Sequence, residues 1–213
     1  MRITIKIGSN VLTRPDGSLD VTRMSAIVDQ IANLRSSGHE IILVSSGAVA
    51  SGRSELKHIQ HDLDSVDQRQ LFSAVGQAKL INRYFELFRE YSIPVGQVLT
   101  TKENFSDAEH RKNQENCMRV MLENSVLPIV NENDTVSVTE LMFTDNDELS
   151  GLIARMTQSQ MLIILSNIDG IYTGKPSDPE SRLISIVKPG KSLDEYIQKD
   201  KSSAGRGLSL IHI

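Results

Sequence analysis

The chain of 213 residues carries 23 basic and 27 acidic side chains, and its formal net charge is −4. Hydrophobic residues make up 39% and charged residues 23%, which is typical of a globular domain with one sizeable core. The acidic balance disfavours a nucleic-acid-binding protein, and the single cysteine excludes an internal disulfide framework and a multi-cysteine metal cluster. The first ten residues lack the apolar segment of a signal peptide, and no apolar run reaches the ~18 residues of a membrane span. We therefore expect a cytoplasmic protein that binds neither nucleic acid nor membrane.

Short apolar segments alternate with longer amphipathic ones along the chain. Ile3, Ile5 and Ile7 alternate with other residues, which is typical of a strand, and residues 41–44 form the continuous apolar run of a strand covered on both faces. Strands that alternate with helices indicate βαβ crossovers, so we expect a mainly parallel sheet with helices on both faces. The predicted strands are Arg2–Ile7, 41–44, 94–99, 127–130 and Met161–Leu165, and the predicted helices lie near 24–34, 66–91, 113–123 and 148–156.

Two of the predicted helices contain residues whose packing can be anticipated. In the longest helix, a helical period is formed by the apolar residues Leu71, Val75, Ala78, Ile81, Phe85 and Phe88. Cys117 lies in the next helix within a partly apolar stretch, and we expect it to contribute to packing rather than to act as a nucleophile.

Polar and glycine-rich segments follow the predicted strands, and in open parallel sheets ligands bind at these carboxyl ends. Small residues let a ligand approach backbone N–H groups closely, and a glycine-rich turn before a helix favours anions. The same residue types are common in turns, so a purely structural role for any one segment is the alternative. The five segments are Lys6-Ile7-Gly8-Ser9, Ser45-Ser46-Gly47-Ala48, Asn131-Glu132-Asn133-Asp134, Thr144-Asp145-Asn146-Asp147 and Ser166-Asn167-Ile168-Asp169-Gly170. Together they predict a binding site along one edge of the sheet.

Lys6 lies within the first predicted strand, on the face opposite Ile3, Ile5 and Ile7. If this strand is buried on both sides, its ammonium group faces a phosphate site; if it is an edge strand, the lysine is simply solvated. The carboxylates of Asp134, Asp145 and Asp147 could orient a lysine, bind a substrate ammonium group, or hold Mg²⁺ through water.

The segments resemble the ordered motifs of the glutamate 5-kinases, which form part of the amino acid kinase family. The motifs in question are K-I-G-S, S-S-G-A-V-A-S-G, P-I-V-N-E-N-D, F-T-D-N-D-E-L-S and L-S-N-I-D-G-I-Y. The resemblance runs from residue 1 to about residue 207 and implies an α/β fold, a three-layer αβα sandwich around a mainly parallel sheet. It also implies ATP-dependent phosphorylation of the γ-carboxylate of L-glutamate, the first step of proline biosynthesis, with Mg²⁺ as a further cofactor.

The same resemblance implies roles for residues on the substrate side of the site. Ser46, with Gly47 beside it, corresponds to a residue that contacts glutamate. Asp134 and Asn146 would hold the backbone groups of the substrate. Asp147 would orient the lysines that face the phosphates, so that Asp147 and Lys6 are the expected catalytic residues.

On the nucleotide side, the resemblance implies that Lys6 and Gly8 belong to the phosphate site. Ser166 and Asn167 align with a nucleotide-contacting pair, in which relatives often carry an aspartate where this chain has Asn167. A glycine-rich motif that contacts the nucleotide begins with Gly205, Arg206 and Gly207. No residues that form a protein metal site are implied.

The implied chemistry agrees with the absence of a candidate general base. A γ-carboxylate has a reference pKa of about 4.3 and is ionised at neutral pH, so no proton has to be removed from it. The chemical problem is to bring one anion to another, which lysines, Mg²⁺ and backbone N–H groups solve by electrostatic stabilisation.

From about residue 208 the chain no longer follows the family motif, which elsewhere continues to a second lysine. We therefore expect a single kinase domain over residues 1–213 that is incomplete at its C-terminal end, without a second domain. Because the second lysine is missing, we also expect this chain by itself to be inactive or nearly so.

Two alternatives remain open from the sequence. Within the same fold, the protein could be an acetylglutamate or aspartate kinase; from a different class, it could be an amino-acid-binding module without activity. The resemblance further implies a homo-oligomer and an association with the next reductase of the proline pathway.

Overall fold

The structure of the protein is a computed structural model that describes residues 1–56, 58, 62–137, 145–174 and 177–188. Its strands are β1 (Arg2–Ile7), β2 (Glu40–Ser45), β3 (Val95–Thr100), β4 (Leu127–Glu132), β5 (Met161–Leu165), β6 (Ile171–Tyr172) and β7 (Leu183–Ile184). Its helices are α1 (Ser9–Leu12), α2 (Val21–Ser36), α3 (Ala48–Glu55), α4 (Ser65–Arg89), α5 (Glu103–Ser106), α6 (Ala108–Glu123) and α7 (Asn146–Met156). None of the helices in this part of the chain is long and apolar enough to cross a membrane.

The first five strands form one parallel sheet in the order β3-β4-β2-β1-β5. β6 and β7 form a separate antiparallel pair. All five predicted strands are therefore present, and the expected parallel sheet is confirmed.

Helices cover the sheet on both faces. Ile41 and Leu43 of β2 belong to a core with α2 and α4, whereas the alternate residues Ile42 and Val44 belong to a core with α6 and α7. This division follows from strand geometry, because neighbouring side chains point to opposite faces. The three-layer αβα arrangement is thus confirmed, and the continuous apolar run at 41–44 is explained by burial on both sides.

The position of β1 decides between the two interpretations of Lys6. β1 lies between β2 and β5, and Lys6 is in register with Val44 on one side and Ile164 on the other. The residue is 7% exposed. The alternative of a solvated lysine on an edge strand is therefore wrong.

α4 confirms the longest predicted helix, but its buried face differs from the predicted apolar one. Leu71 is 37% and Phe85 51% exposed, whereas Phe72, Leu80 and Tyr84 are buried. The buried residues lie one position after the predicted ones in the first half of the helix and one position before them at Leu80 and Tyr84, whereas Phe88 is buried as predicted.

Close packing between α3 and α4 explains why Phe72 and Gly76 are buried. A Cβ atom on Gly76 of α4 would overlap the carbonyl group of Ala48, and one on Gly52 of α3 would overlap the backbone of Phe72. Each helix thus places a glycine against the backbone of the other, and no side chain separates the two. The pattern of hydrophobic residues does not predict a contact made through glycines. It does not predict α3 either, because Ala48–Glu55 contains a single large apolar residue.

Cys117 lies in α6, as expected, but its side chain is exposed. The expectation that it contributes to packing is wrong. In α6 the buried position is the next residue, Met118, which faces the core shared with α7, and adjacent residues on a helix point about 100° apart.

Candidate active site

A buried ion pair joins β1 to α7 at the carboxyl edge of the sheet. The Nζ atom of Lys6 lies 2.5 Å from Oδ1 of Asp147, and the two side chains are 9% and 4% exposed. Charges removed from water to this extent are stable only when they are paired. The sequence-predicted pair of Lys6 and Asp147 is therefore brought together by the fold.

Gly8 leaves one side of this ammonium group uncovered. A Cβ atom at Gly8 would lie 3.5 Å from Nζ of Lys6 and 3.4 Å from the carbonyl oxygen of Leu165. A larger side chain would therefore stand against the lysine. The arrangement can admit an anion next to Lys6, as expected for a phosphate site.

The first turn of α7 is held by Asp145, which caps the helix. Its Oδ1 atom accepts hydrogen bonds from the backbone N–H groups of Asp147 at 2.9 Å and Glu148 at 3.1 Å. Burial raises the pKa of Asp145 to about 6, with the neighbouring Asp147 adding to the effect. The cap fixes where α7 begins, and it thereby positions Asn146 and Asp147. The pattern of an aspartate followed three residues later by a glutamate is the sequence signal for this cap.

Asn146 connects α7 to the ends of β2 and β4. Its Nδ2 atom lies 2.8 Å from Oγ of Ser46, 3.0 Å from the carbonyl oxygen of Ser45 and 3.0 Å from Oδ1 of Asn131. Directly after Ser46 the chain turns at Gly47, whose φ of 99° favours glycine. The predicted residues Ser46, Gly47 and Asn146 therefore form one cluster.

Asp134 is held by Arg69, a residue of α4 that the motifs did not reveal. Nε of Arg69 lies 2.7 Å from Oδ1 of Asp134, and its second terminal nitrogen lies 2.9 Å from Oε2 of Glu132. Glu132 and Asp134 are 6% and 7% exposed. Arg69 thus holds both carboxylates at and just after the end of β4.

A second unforeseen residue, Tyr84 of α4, supports the loop that carries Ser46. Its hydroxyl group lies 3.0 Å from Oγ of the buried Ser45, and burial raises the pKa of Tyr84 well above its usual value of 10. Tyr84 lies at helical spacing from apolar residues such as Leu80 and Phe88, so no local pattern distinguishes it from a core residue.

The end of β5 lies beside the end of β1. The backbone N–H of Gly8 donates to the carbonyl oxygen of Leu165 at 3.0 Å, so Ser166 and Asn167 follow at the same edge as Lys6. Ser166 is half-buried and Asn167 is exposed. The remaining predicted nucleotide contacts, Gly205, Arg206 and Gly207, lie outside the described residues, as does Thr144.

The residues at this edge fit an Mg²⁺ ion that arrives with a nucleotide. Among the described residues, no group of three His, Cys, Asp or Glu side chains could hold a metal ion. Asp145 and Asp147 are engaged by backbone N–H groups and by Lys6, respectively. Mg²⁺ commonly keeps several waters and binds through substrate phosphates with one or two carboxylates, and such an arrangement is compatible with these residues.

Sequence comparison gives the family. A model of the amino acid kinase family matches residues 1–212. The chain belongs to the amino acid kinase family. It is 74% identical over 206 residues to a glutamate 5-kinase from Bacteroides thetaiotaomicron, covering 97% of this chain and 57% of that protein. A glutamate 5-kinase from Symbiobacterium thermophilum is 41% identical over 207 residues, covering 97% of this chain and 79% of that protein.

Two solved kinase structures have the same fold. An isopentenyl phosphate kinase superposes with a TM-score of 0.59 at 18% identity, covering 88% of this chain and 82% of that one. An aspartate kinase from Synechocystis superposes with a TM-score of 0.54 at 15% identity, covering 86% of this chain and 31% of that one. The chain thus shares the family fold, while it spans little more than half the length of its Bacteroides relative.

Proposed function

We propose that the protein catalyses the ATP-dependent phosphorylation of the γ-carboxylate of L-glutamate, the first step of proline biosynthesis. The observation that carries the proposal is the buried pair of Lys6 and Asp147 next to the cluster of Ser46 and Asn146. An anion site and an amino-acid site are adjacent in this arrangement, as a transfer between two anions requires. The relatives named glutamate 5-kinase support the choice of substrate.

Lys6 and Asp147 act together on the phosphate side. An ammonium group has three N–H donors; one is directed at Asp147, and the others can bind oxygens of the transferring phosphoryl group. Asp147 holds the ammonium group in place before the reaction, so that its charge need not be reorganised in the transition state. Catalysis here consists of charge stabilisation and alignment.

Ser46, Asn146 and Asp134 act on the glutamate side. The γ-carboxylate is already ionised at neutral pH, so the site has to bind and orient it without removing a proton. The negative charge of Asp134 and the amide of Asn146 are suited to the backbone groups of the amino acid. Binding these groups at a fixed distance from Lys6 brings the γ-carboxylate into line with the phosphoryl group.

The nucleotide is ATP, with Mg²⁺ bound to its phosphates. Ser166 and Asn167 at the end of β5 stand next to Gly8 and are proposed to contact the nucleotide, together with Gly205, Arg206 and Gly207. When bound, Mg²⁺ supplies positive charge that lowers the repulsion between the nucleotide and the incoming carboxylate.

The assay traps the acyl phosphate with hydroxylamine and measures the hydroxamate formed from L-glutamate and Mg-ATP. It uses the chain as given and a form joined to the further residues of the Bacteroides relative, since the chain spans 57% of that protein. Equal or greater turnover of N-acetylglutamate or aspartate would contradict the choice of substrate. Glutamate binding without hydroxamate in either form would favour the binding module instead.

We further propose that the protein is a cytoplasmic homo-oligomer. Apolar residues on α4 and at the end of the edge strand β3 support association of copies, because Leu71, Phe85 and Leu99 are 37%, 51% and 37% exposed. Sedimentation equilibrium of the protein measures the oligomeric state. The association with a reductase of the proline pathway stays a prediction.

A further inference from the structure

A chain of side-chain amides runs from α4 to the proposed glutamate site. The backbone N–H of Glu132 lies 2.9 Å from Oδ1 of Asn131. A backbone N–H can only donate, so this end of the Asn131 side chain is the oxygen. The backbone of β4 therefore determines which end of the Asn131 amide is the oxygen and which is the nitrogen.

The other end of the Asn131 amide requires an acceptor. Its Nδ2 atom donates to Oε1 of Gln77 at 2.8 Å, and Asn131 is 3% exposed. A buried donor left without a partner loses its full hydration free energy. Gln77 therefore stabilises Asn131 in this one orientation.

The orientation of Asn131 determines that of Asn146. The Asn146 Nδ2 atom lies 3.0 Å from Oδ1 of Asn131 and 3.0 Å from the carbonyl oxygen of Ser45. Both neighbours are acceptors, so the nitrogen end of the Asn146 amide points at them and the oxygen end points away. Ser46 also accepts from this nitrogen at 2.8 Å, which leaves the hydroxyl proton of Ser46 for another acceptor.

We propose that Gln77 is a positioning residue for the substrate, an inference that rests on the proposed function. Through Asn131 it holds Asn146 with its carbonyl oxygen available to the α-ammonium group of glutamate. The site thus presents a hydrogen-bond acceptor where the ammonium group of the bound amino acid would lie.

The placement of Gln77 on α4 supports this role. Gln77 lies eight residues after Arg69, and residues at this spacing share one face of a helix. Arg69 holds Asp134 and Gln77 holds Asn131, so one face of α4 sets both polar groups at the end of β4. Gln77 also lines a cavity of about 240 Å³ together with Gln97 and Asp134.

The test compares Gln77→Leu, which removes the acceptor, with Gln77→Glu, which keeps an acceptor oxygen at the same place. The matched control is Asn82→Leu, which removes an exposed side-chain amide of the same helix whose hydrogen bond is to Glu86. For each protein, KM for glutamate, KM for ATP and the inhibition constant of glutarate are measured, in whichever form of the protein turns over glutamate. Glutarate has both carboxylates of glutamate but lacks its ammonium group.

We expect Gln77→Leu to raise KM for glutamate about tenfold, with KM for ATP and the inhibition constant of glutarate within about twofold of the unaltered protein. Gln77→Glu should recover most of this loss, and Asn82→Leu should resemble the unaltered protein. An unchanged KM for glutamate in Gln77→Leu, or an equal loss for glutarate, would overturn the inference alone. Absence of glutamate phosphorylation by the unaltered protein would overturn the proposed function and the inference with it.

Discussion

Replacement of Asp147 by asparagine is the sharpest perturbation of the proposed phosphate site. The variant keeps the shape of the side chain and removes the charge that lies 2.5 Å from Nζ of Lys6. Both side chains are more than nine-tenths buried, so the remaining lysine would stand as an uncompensated buried charge. Removing one partner of such a pair costs about 3–5 kcal/mol of folding stability.

The same change should affect catalysis more than substrate binding. Lys6 without Asp147 loses the group that orients it, and the loss of one preorganised donor at a developing charge lowers kcat by about 10²–10³-fold. KM for glutamate should change less than about threefold, because the proposed contacts of glutamate are to Ser46, Asn146 and Asp134. The hydroxamate assay measures both constants, and urea unfolding measures the stability.

Glu148→Gln is the matched control, since Glu148 is the next residue of α7. Its ion pair with Lys102 is longer, at 3.5 Å, and both partners are partly exposed, so its loss should cost less than about 1 kcal/mol. The reasoning would be refuted if Asp147→Asn left kcat unchanged and raised only KM. It would also be refuted if the stabilities of the two variants were equal.

Three further perturbations test other parts of the structure. Asp134→Ala should raise KM for glutamate at least tenfold with a smaller change in kcat, because it removes a partner of the bound ammonium group; a fall confined to kcat would contradict this role. The pKa of Asp145 is raised to about 6 by burial. Between about pH 4 and 6 the folded state therefore retains a proton that the unfolded state has released, and the free energy of unfolding falls as pH rises through this window. Asp145→Asn keeps the capping oxygen and removes this titration. Urea unfolding at pH 4.5 and 7.5 should therefore show a smaller loss of stability on raising the pH than in the unaltered protein. An equal loss in the two proteins would contradict the raised pKa of Asp145. Gly76→Ala should lower the free energy of unfolding by about 3 kcal/mol, since its Cβ would overlap the carbonyl of Ala48. The control Ala74→Ser, on the exposed side of α4, should change it by about 0.5 kcal/mol or less. Equal effects of the two changes would contradict the close packing of α3 and α4.

Several features of the protein follow from the sequence alone. The alternation of Ile3, Ile5 and Ile7 and the apolar run at 41–44 predict the strands, because burial on one or both faces is recorded directly in the order of side chains. The parallel sheet follows from the order of strands and helices, and its carboxyl edge then indicates where Lys6, Ser46 and Asp134 should gather.

Only the tertiary structure decides which of these residues meet and what supports them. The partners of the site residues, Arg69, Gln77 and Tyr84, all lie on α4. Arg69 and Gln77 precede Asp134 and Asn131 by 65 and 54 residues, and Tyr84 follows Ser45 by 39 residues. No local pattern relates positions so far apart, because their proximity results from the packing of a helix across a sheet. The burial of the first half of α4 likewise depends on the contact between Gly76 and Ala48, which is possible because Gly76 has no side chain. The order of residues shows which side chains of one segment share a face, whereas these contacts depend on how segments distant in the chain pack against each other.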